Sequence, residues 1–66
     1  MDLEKFVEIE LLFSLYQQLL TEKQRQVMEY YYQEDYSLSE ISDLLGISRQ
    51  AVHDNIKRTE IQLFGY

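Results

Sequence analysis

Residues 37–59 read SLSEISDLLGISRQAVHDNIKRT, and this stretch predicts two helices joined by a sharp turn. Ser37 is a favourable N-cap, and Glu40 three residues later completes a capping box, in which each side chain accepts the other residue's free backbone N–H. Gly46 stands where helices commonly end in the left-handed conformation that glycine adopts at little cost. Ser48 then caps a second helix. Two helices so closely joined are typical of a helix-turn-helix.

The two predicted helices each have one apolar side. Apolar residues recur in the first helix at the three- and four-residue spacing of a helical face, and they are Ile41, Leu44 and Leu45. The expected buried side of the second helix consists of Val52, Ile56 and Thr59. Its opposite side carries the polar residues Arg49, Gln50, His53 and Lys57. A purely structural hairpin would account for the apolar pattern, but the outward donors favour a reader of nucleic acid.

The second helix supplies most of the candidate DNA contacts. Residues in its first half are expected to reach base edges, and later ones to approach phosphates. Arg49 suits a bidentate contact to guanine, and Gln50 suits adenine. Lys57 and Arg58 suit phosphates, which position a protein without reading sequence. His53 is the only histidine of the chain and is expected to be a neutral polar contact or simply exposed.

Two further residues belong to this predicted interface, and a third lies beside it. Ser48 caps the second helix beside Arg49, and the free amides at the Ser37 helix start could receive a phosphate. Asp54 is discordant, because a carboxylate repels phosphates. It is expected either to pair with Lys57 or Arg58 within the helix or to accept a hydrogen bond from cytosine.

The charge of the chain is unevenly distributed. The formal net charge is −6, which disfavours nucleic acid as a partner, because DNA-binding proteins usually carry a basic face. Residues 48–60 nevertheless hold three basic and two acidic residues, giving +1, whereas residues 1–47 hold three basic and ten acidic residues, giving −7. Three cations neutralise few phosphates, so a single copy should bind duplex DNA weakly and lose affinity steeply with salt. Useful affinity would need two copies.

Composition argues against an enzyme and against a membrane protein. The chain has 66 residues, no Cys and one His, with no nucleophile beside a base and no glycine loop for phosphates. We therefore expect no catalytic residue, no metal site and no cofactor. No apolar run approaches the roughly 18 residues of a membrane span and no signal peptide opens the chain, so a cytoplasmic location is expected.

The first predicted helix, capped by Asp2, is apolar on nearly all sides. One broad face is expected in the core and comprises Phe6, Ile9, Leu12, Phe13, Tyr16, Leu19 and Leu20. A second stripe on the other side comprises Leu3, Val7, Leu11 and Leu15. A domain of this size can hardly bury both faces. The second stripe is either exposed, or covered by the C-terminal residues 63–66, or, in the interpretation we favour, the contact of a homodimer.

A run of tyrosines marks the next predicted helix, which Thr21 caps and in which Gln24 completes a second capping box. Its inward side is expected to be Val27, Met28 and Tyr31, with Tyr30 or Tyr32 at the margin. Aromatic residues at helical spacing are more often core residues than ligand platforms. Residues 33–36 are expected to form a loop. The whole chain, residues 1–66, is predicted to be one all-α domain with helices at about 3–20, 22–32, 38–45 and 49–63.

Residues 20–60 carry a family resemblance. They read LTEKQRQVMEYYYQEDYSLSEISDLLGISRQAVHDNIKRTE. The Leu-Thr-Glu start, the tyrosine-rich helix and the Leu-Gly-Ile-Ser turn resemble region 4 of sigma-70-type transcription factors, which implies a helix-turn-helix domain without a wing. A more specific resemblance is to the YlxM-like family of small helix-turn-helix proteins from Gram-positive bacteria. It rests on the tyrosine run, the acidic loop before Tyr36, and the strings SRQAV at 48–52 and DNIKRTE at 54–60.

The YlxM-like resemblance implies a DNA-binding regulatory protein with a role in the signal-recognition-particle pathway. The alternative is a module that contacts the protein or RNA of the targeting machinery through its acidic surface and binds no duplex DNA. The net charge favours the alternative, whereas the helix-turn-helix favours DNA binding, which is our first prediction. Family members usually continue into a further helix, so the resemblance implies that a chain ending at Tyr66 is either truncated or a short member.

Overall fold

The computed structural model describes residues 3–66, and these form four α-helices. Their ranges are Leu3–Tyr16 for α1, Glu22–Met28 for α2, Leu38–Leu45 for α3 and Arg49–Phe64 for α4. A 3-10 turn at Gln17–Leu19 prolongs α1, and a π turn at Glu29–Gln33 prolongs α2. No strand occurs between residues 3 and 66, so the predicted all-α fold class is confirmed. The cap predicted at Asp2 lies outside the described residues.

Both predicted capping boxes are present. At the start of α2, Thr21 Oγ1 accepts from the Gln24 backbone N–H over 3.1 Å, and Gln24 Oε1 accepts from the Thr21 N–H over 3.0 Å. At the start of α3, Ser37 Oγ accepts from the Glu40 N–H over 3.1 Å, and Glu40 Oε1 accepts from the Ser37 N–H over 2.9 Å. Each box satisfies two backbone N–H groups that a helix start otherwise leaves without an acceptor.

The turn between α3 and α4 is built around Gly46. This residue has φ +68° and ψ 32°, the left-handed conformation predicted for it. The backbone N–H groups of Gly46 and Ile47 both donate to the Ser42 carbonyl, over 2.9 and 3.2 Å. Two donors on one carbonyl close the end of α3 tightly, so the chain changes direction within the few residues before Ser48.

The hydrophobic core lies where α4 meets the other three helices, since α4 contacts each of α1, α2 and α3. Its side chains come from all parts of the described chain. The buried apolar residues are Ile9, Phe13, Leu20, Val27, Met28, Tyr32, Ile41, Val52, Ile56 and Leu63. One side of α4 is thereby used to hold the domain together, which leaves its other side for function.

The π turn changes which tyrosine is buried. The Glu34 N–H donates to the Glu29 carbonyl five residues back, over 2.9 Å. This wider turn advances each residue by a smaller angle than an α-helix does. Tyr32 is therefore the buried ring, and Tyr31, which we predicted to point inward, is only half-buried. Gln33, expected in the loop, is the last residue of the π turn.

Two leucines expected in the core are exposed instead. Leu19 is 61% exposed, because the regular 100° rotation of α1 ends at Tyr16 and cannot be extrapolated through the 3-10 turn. Leu44 is 57% exposed. The inward side of α3 is centred on the buried Ile41, and Leu44 lies about a sixth of a turn away from it. Both leucines were wrongly predicted to be buried, although each borders a face whose central residues are buried as predicted.

Candidate nucleic-acid interface

The cap at Ser48 and the buried side of α4 together determine which residues of α4 face outward. Ser48 Oγ accepts from the Ala51 backbone N–H over 3.0 Å, so the helix begins at Arg49. The predicted buried residues Val52, Ile56 and Thr59 are all buried. The polar residues on the other sides are exposed, namely Arg49, Gln50, His53, Lys57 and Arg58. Donors at the first turns of a capped helix are what groove recognition requires.

The structure separates these polar residues into three groups. Arg49, Gln50 and His53 line a shallow concavity together with Leu38, the first residue of α3. This concavity therefore joins the starts of both helices of the helix-turn-helix. We predicted that Lys57 shares one side of α4 with Arg49 and His53, because the three residues are spaced four apart. Lys57 lies instead on the side of α4 that faces α1 and the π turn.

Lys57 has an intramolecular partner. Its Nζ lies 3.6 Å from Glu60 Oε1. Glu60 is buried and also accepts a hydrogen bond from the Tyr32 hydroxyl. Burial raises the pKa of Tyr32, and the hydrogen bond to Glu60 raises this pKa further. The positive charge of Lys57 is thus partly balanced inside the domain, a feature that sequence spacing did not reveal.

Arg58 lies on the opposite edge of α4, beside a cleft between α2 and α4. Lys23 and Gln24 from the start of α2 border this cleft with Arg58 and Asn55. The Asn55 Oδ1 is buried and has no hydrogen-bond partner among residues 3–66. Sequence reasoning missed Lys23, because a single lysine in a short helix, far from Arg58 in the chain, gives no pattern.

Asp54 has a different partner from the ones predicted. Its Oδ1 accepts from Gln50 Nε2 over 2.9 Å, and His53 Nδ1 lies 3.8 Å from the same oxygen. The predicted pairing with Lys57 or Arg58 was wrong. The Gln50 amide lies one helical turn before Asp54 and reaches it directly, whereas Lys57 turns toward Glu60.

The start of α3 offers fewer free donors than we expected. The Ser37 and Glu40 backbone N–H groups are both occupied within the capping box. The Glu40 carboxylate also accepts a hydrogen bond from the Ser37 backbone, and this bond lowers the pKa of Glu40. A phosphate near Ser37 would meet this carboxylate, so Ser37 is a weaker candidate contact than the residues of α4.

The second stripe of α1 is uncovered. Leu3, Val7, Leu11 and Leu15 are between 48% and 74% exposed. The C-terminal residues do not cover them, because Leu63 is buried in the core and the Tyr66 ring packs against Tyr16, with 5.2 Å between ring centroids. The alternative in which residues 63–66 cover the stripe was therefore wrong.

The family model described as "Putative helix-turn-helix protein, YlxM / p13 like" matches residues 3–66. The chain belongs to the YlxM/p13-like helix-turn-helix family. The more specific of the two resemblances in the sequence is thereby confirmed. In our structure, α3, the Gly46 turn and α4 form the helix-turn-helix.

Three relatives show how far the likeness extends. The chain is 62% identical to the UPF0122 protein of Oceanobacillus iheyensis over 64 residues, which are 97% of this chain and 61% of the relative. It is 56% identical to the UPF0122 protein of Limosilactobacillus fermentum over 66 residues, which are 100% and 58%. For the UPF0122 protein of Staphylococcus aureus strain Newman, the identity is 59% over 58 residues, which are 88% and 53%. The chain thus spans 53–61% of the length of these relatives.

Residues 3–66 of this YlxM/p13-like chain offer neither a metal-ligand cluster nor a membrane-spanning helix. Between residues 3 and 66, no group of three or more acidic or histidine side chains is placed to hold a metal ion. Within the same range, no helix has both the length and the apolar character needed to cross a bilayer. The polar surface of α4 is the candidate site that these residues offer.

Proposed function

We propose that this protein is a cytoplasmic DNA-binding regulatory protein that places the first turns of α4 in the major groove of duplex DNA. The observation that carries the proposal is the orientation of α4. Its buried side packs in the core, while Arg49, Gln50 and His53 stand exposed at its capped end. A helix held in this way matches the recognition helix of helix-turn-helix proteins. Membership of a helix-turn-helix family supports the same function.

The proposed contacts follow from the chemistry of the exposed side chains. Arg49 donates to the two acceptors of guanine, and Gln50 forms the matching donor–acceptor pair with adenine. Lys57 and Arg58 lie on opposite edges of α4, so they suit the phosphates that border the groove on either side. Lys23 lies across the cleft from Arg58 and extends that phosphate-binding edge.

Selection from a random duplex library, followed by substitution of Arg49, tests the proposal. Arg49→Ala should weaken binding to the selected site by about 1–3 kcal/mol and relax the preference at one base pair. Arg58→Ala removes the same charge and is the matched control, because Arg58 is an exposed residue of the same type and a proposed phosphate contact. It should weaken binding to all sequences about equally and reduce the salt slope by about one. Equal effects of the two variants on every sequence would contradict base reading by Arg49.

We further propose that the protein acts as a homodimer and that the contact is the exposed stripe of Leu3, Val7, Leu11 and Leu15. The stripe is apolar and runs along the length of α1, so a second copy presents a complementary surface. Two copies would double the small number of cations that one copy offers to DNA. Dimeric helix-turn-helix proteins reach two half-sites in this way.

The acidic surface supports a second candidate function. Residues 1–47 carry a net charge of −7, and the apolar stripe of α1 lies within them. Such a surface suits contact with the protein or RNA of the signal recognition particle, either beside DNA binding or instead of it. Incubation of the protein with the particle's purified protein and RNA, and separately with duplex DNA at low salt, distinguishes the two functions. Retention on the particle with no retardation of DNA would favour the second function.

A further inference from the structure

Asp54 is placed where a DNA-binding surface would not be expected to carry negative charge. It lies one helical turn after Gln50, on the side of α4 that points away from the core, and its side chain is 56% exposed. A carboxylate there is repelled by phosphates and gains no burial energy. The hydrogen bond of Asp54 is to another exposed side chain one helical turn away, so it adds only a few tenths of a kcal/mol, roughly, to the stability of α4. An explanation must therefore come from what Asp54 does for the surface.

What Asp54 does is orient the Gln50 amide. Gln50 Nε2 donates to Asp54 Oδ1 over 2.9 Å, and a carboxylate can only accept, so the nitrogen must point toward Asp54. A free glutamine amide can rotate by 180° and exchange its donor and acceptor. The hydrogen bond to Asp54 selects one of these two orientations. The second N–H and the Oε1 of Gln50 remain available for a ligand.

We propose that Asp54 is a positioning residue that determines the base specificity of Gln50. The proposal rests on the DNA binding proposed above and deepens it. Adenine presents an acceptor beside a donor in the major groove, and the free N–H and Oε1 of Gln50 match that pair in one orientation only. Held by Asp54, Gln50 selects adenine. The repulsion between Asp54 and phosphates lowers the affinity for every sequence, which further favours discrimination over tight binding.

The substitutions Asp54→Ala and Asp54→Asn separate the hydrogen bond from the charge. Asp54→Ala removes both, so the preference for adenine at the Gln50 base pair should fall by roughly tenfold, while the affinity for random-sequence DNA rises. Asp54→Asn removes the charge and keeps an acceptor for Gln50 Nε2, but its amide can also donate to Gln50 Oε1 in the flipped orientation. It should raise the affinity and retain only part of the preference. Asp54 is exposed, and circular dichroism verifies that each variant remains helical.

Two controls test whether Asp54 acts through Gln50. Asp43→Asn removes one exposed negative charge from α3 and should leave the preference unchanged. In a Gln50→Ala background, Asp54→Ala should change the preference no further. A loss of preference that persists in that background would show that Asp54 reads a base directly and would overturn the positioning role.

The outcomes also separate this inference from the DNA-binding proposal. If the wild-type protein selects a site and Asp54→Ala keeps the full preference at every base pair, only the role of Asp54 is overturned. If the wild-type protein binds no duplex at low salt, DNA binding itself fails, and the role of Asp54 with it. In the free protein, the side-chain amide resonances of Gln50 should shift in Asp54→Ala and shift less in Asp54→Asn; unchanged resonances in Asp54→Ala would contradict the hydrogen bond.

Discussion

A carboxylate buried in a small domain needs partners, and Glu60 has two. The Tyr32 hydroxyl donates to it from the π turn, and the Lys57 ammonium lies 3.6 Å away on the preceding turn of α4. Together these contacts connect α4 to the π turn. An unpartnered buried carboxylate would be strongly destabilising, so the tyrosine does more here than fill space.

We predict that Tyr32→Phe destabilises the protein by about 2 kcal/mol at neutral pH, because the buried Glu60 carboxylate loses the hydrogen bond that the Tyr32 hydroxyl donates to it. The raised pKa of Tyr32 adds a pH dependence. Its ionisation is favoured in the unfolded chain, so wild-type stability should fall as the pH rises above about 10, the ordinary tyrosine value. The variant lacks this loss, and the difference between the two should narrow at high pH.

Urea denaturation at neutral and alkaline pH measures both effects of Tyr32→Phe. Tyr30→Phe is the control, because this half-buried ring stacks on Tyr36 with 5.4 Å between centroids and lies outside the Glu60 cluster. A stability difference between wild type and Tyr32→Phe that grows with pH would contradict the assignment.

At the scale of elements, two helices begin with the same geometry and different chemistry. The box at α2 uses Thr21 with the neutral Gln24, and the box at α3 uses Ser37 with the ionisable Glu40. The hydrogen bonds are of similar length in both. The start of the helix-turn-helix therefore depends on pH in a way that the start of α2 does not.

We predict that Glu40→Gln makes the protein less sensitive to acid. The pKa of Glu40 is lowered in the folded protein, so its contribution to stability is present above the ordinary glutamate pKa of about 4.3 and is lost as the pH falls through the lower folded value. Glutamine preserves the capping box, as Gln24 does, without titrating. Thermal unfolding between pH 6 and about pH 3 should show a shallower decline for the variant; parallel curves would argue against the assignment.

At the scale of the whole molecule, the domain has two kinds of exposed surface on different helices. The outer side of α4 is polar and carries Arg49, Gln50 and Arg58, whereas the outer side of α1 is an apolar stripe. Residues 3–66 leave that stripe exposed. A second copy can cover it and also increase the number of cations available to DNA.

We predict that Leu11→Glu prevents the proposed dimerisation and leaves a monomer. Leu11 is 62% exposed within one copy, so the substitution should leave the fold intact and place a charge in the contact. Sedimentation or light scattering gives the mass, and the salt slope of DNA binding should fall by about half. Leu44→Glu, at an exposed leucine of α3, is the matched control and should keep the dimer. A wild-type mass of one copy at micromolar concentration would exclude the proposed contact.

The features that could be predicted from the amino-acid sequence are those that depend on residues close together along the chain. The caps at Thr21, Ser37 and Ser48, the left-handed Gly46 and the buried side of α4 were all predicted and are all present. They could be predicted because a capping box joins residues three apart, and a left-handed helix end needs a residue without a Cβ.

The burial of individual side chains and the pairing of polar groups became known only from the tertiary structure. It buried Tyr32 in place of Tyr31, exposed Leu19 and Leu44, turned Lys57 toward Glu60 and brought Lys23 across from Arg58. Helical periodicity gives the direction of a side chain only while the helix stays regular, and it carries no information about the element packed opposite. Burial and pairing depend on contacts between residues far apart in the chain, and these arise only when the helices pack.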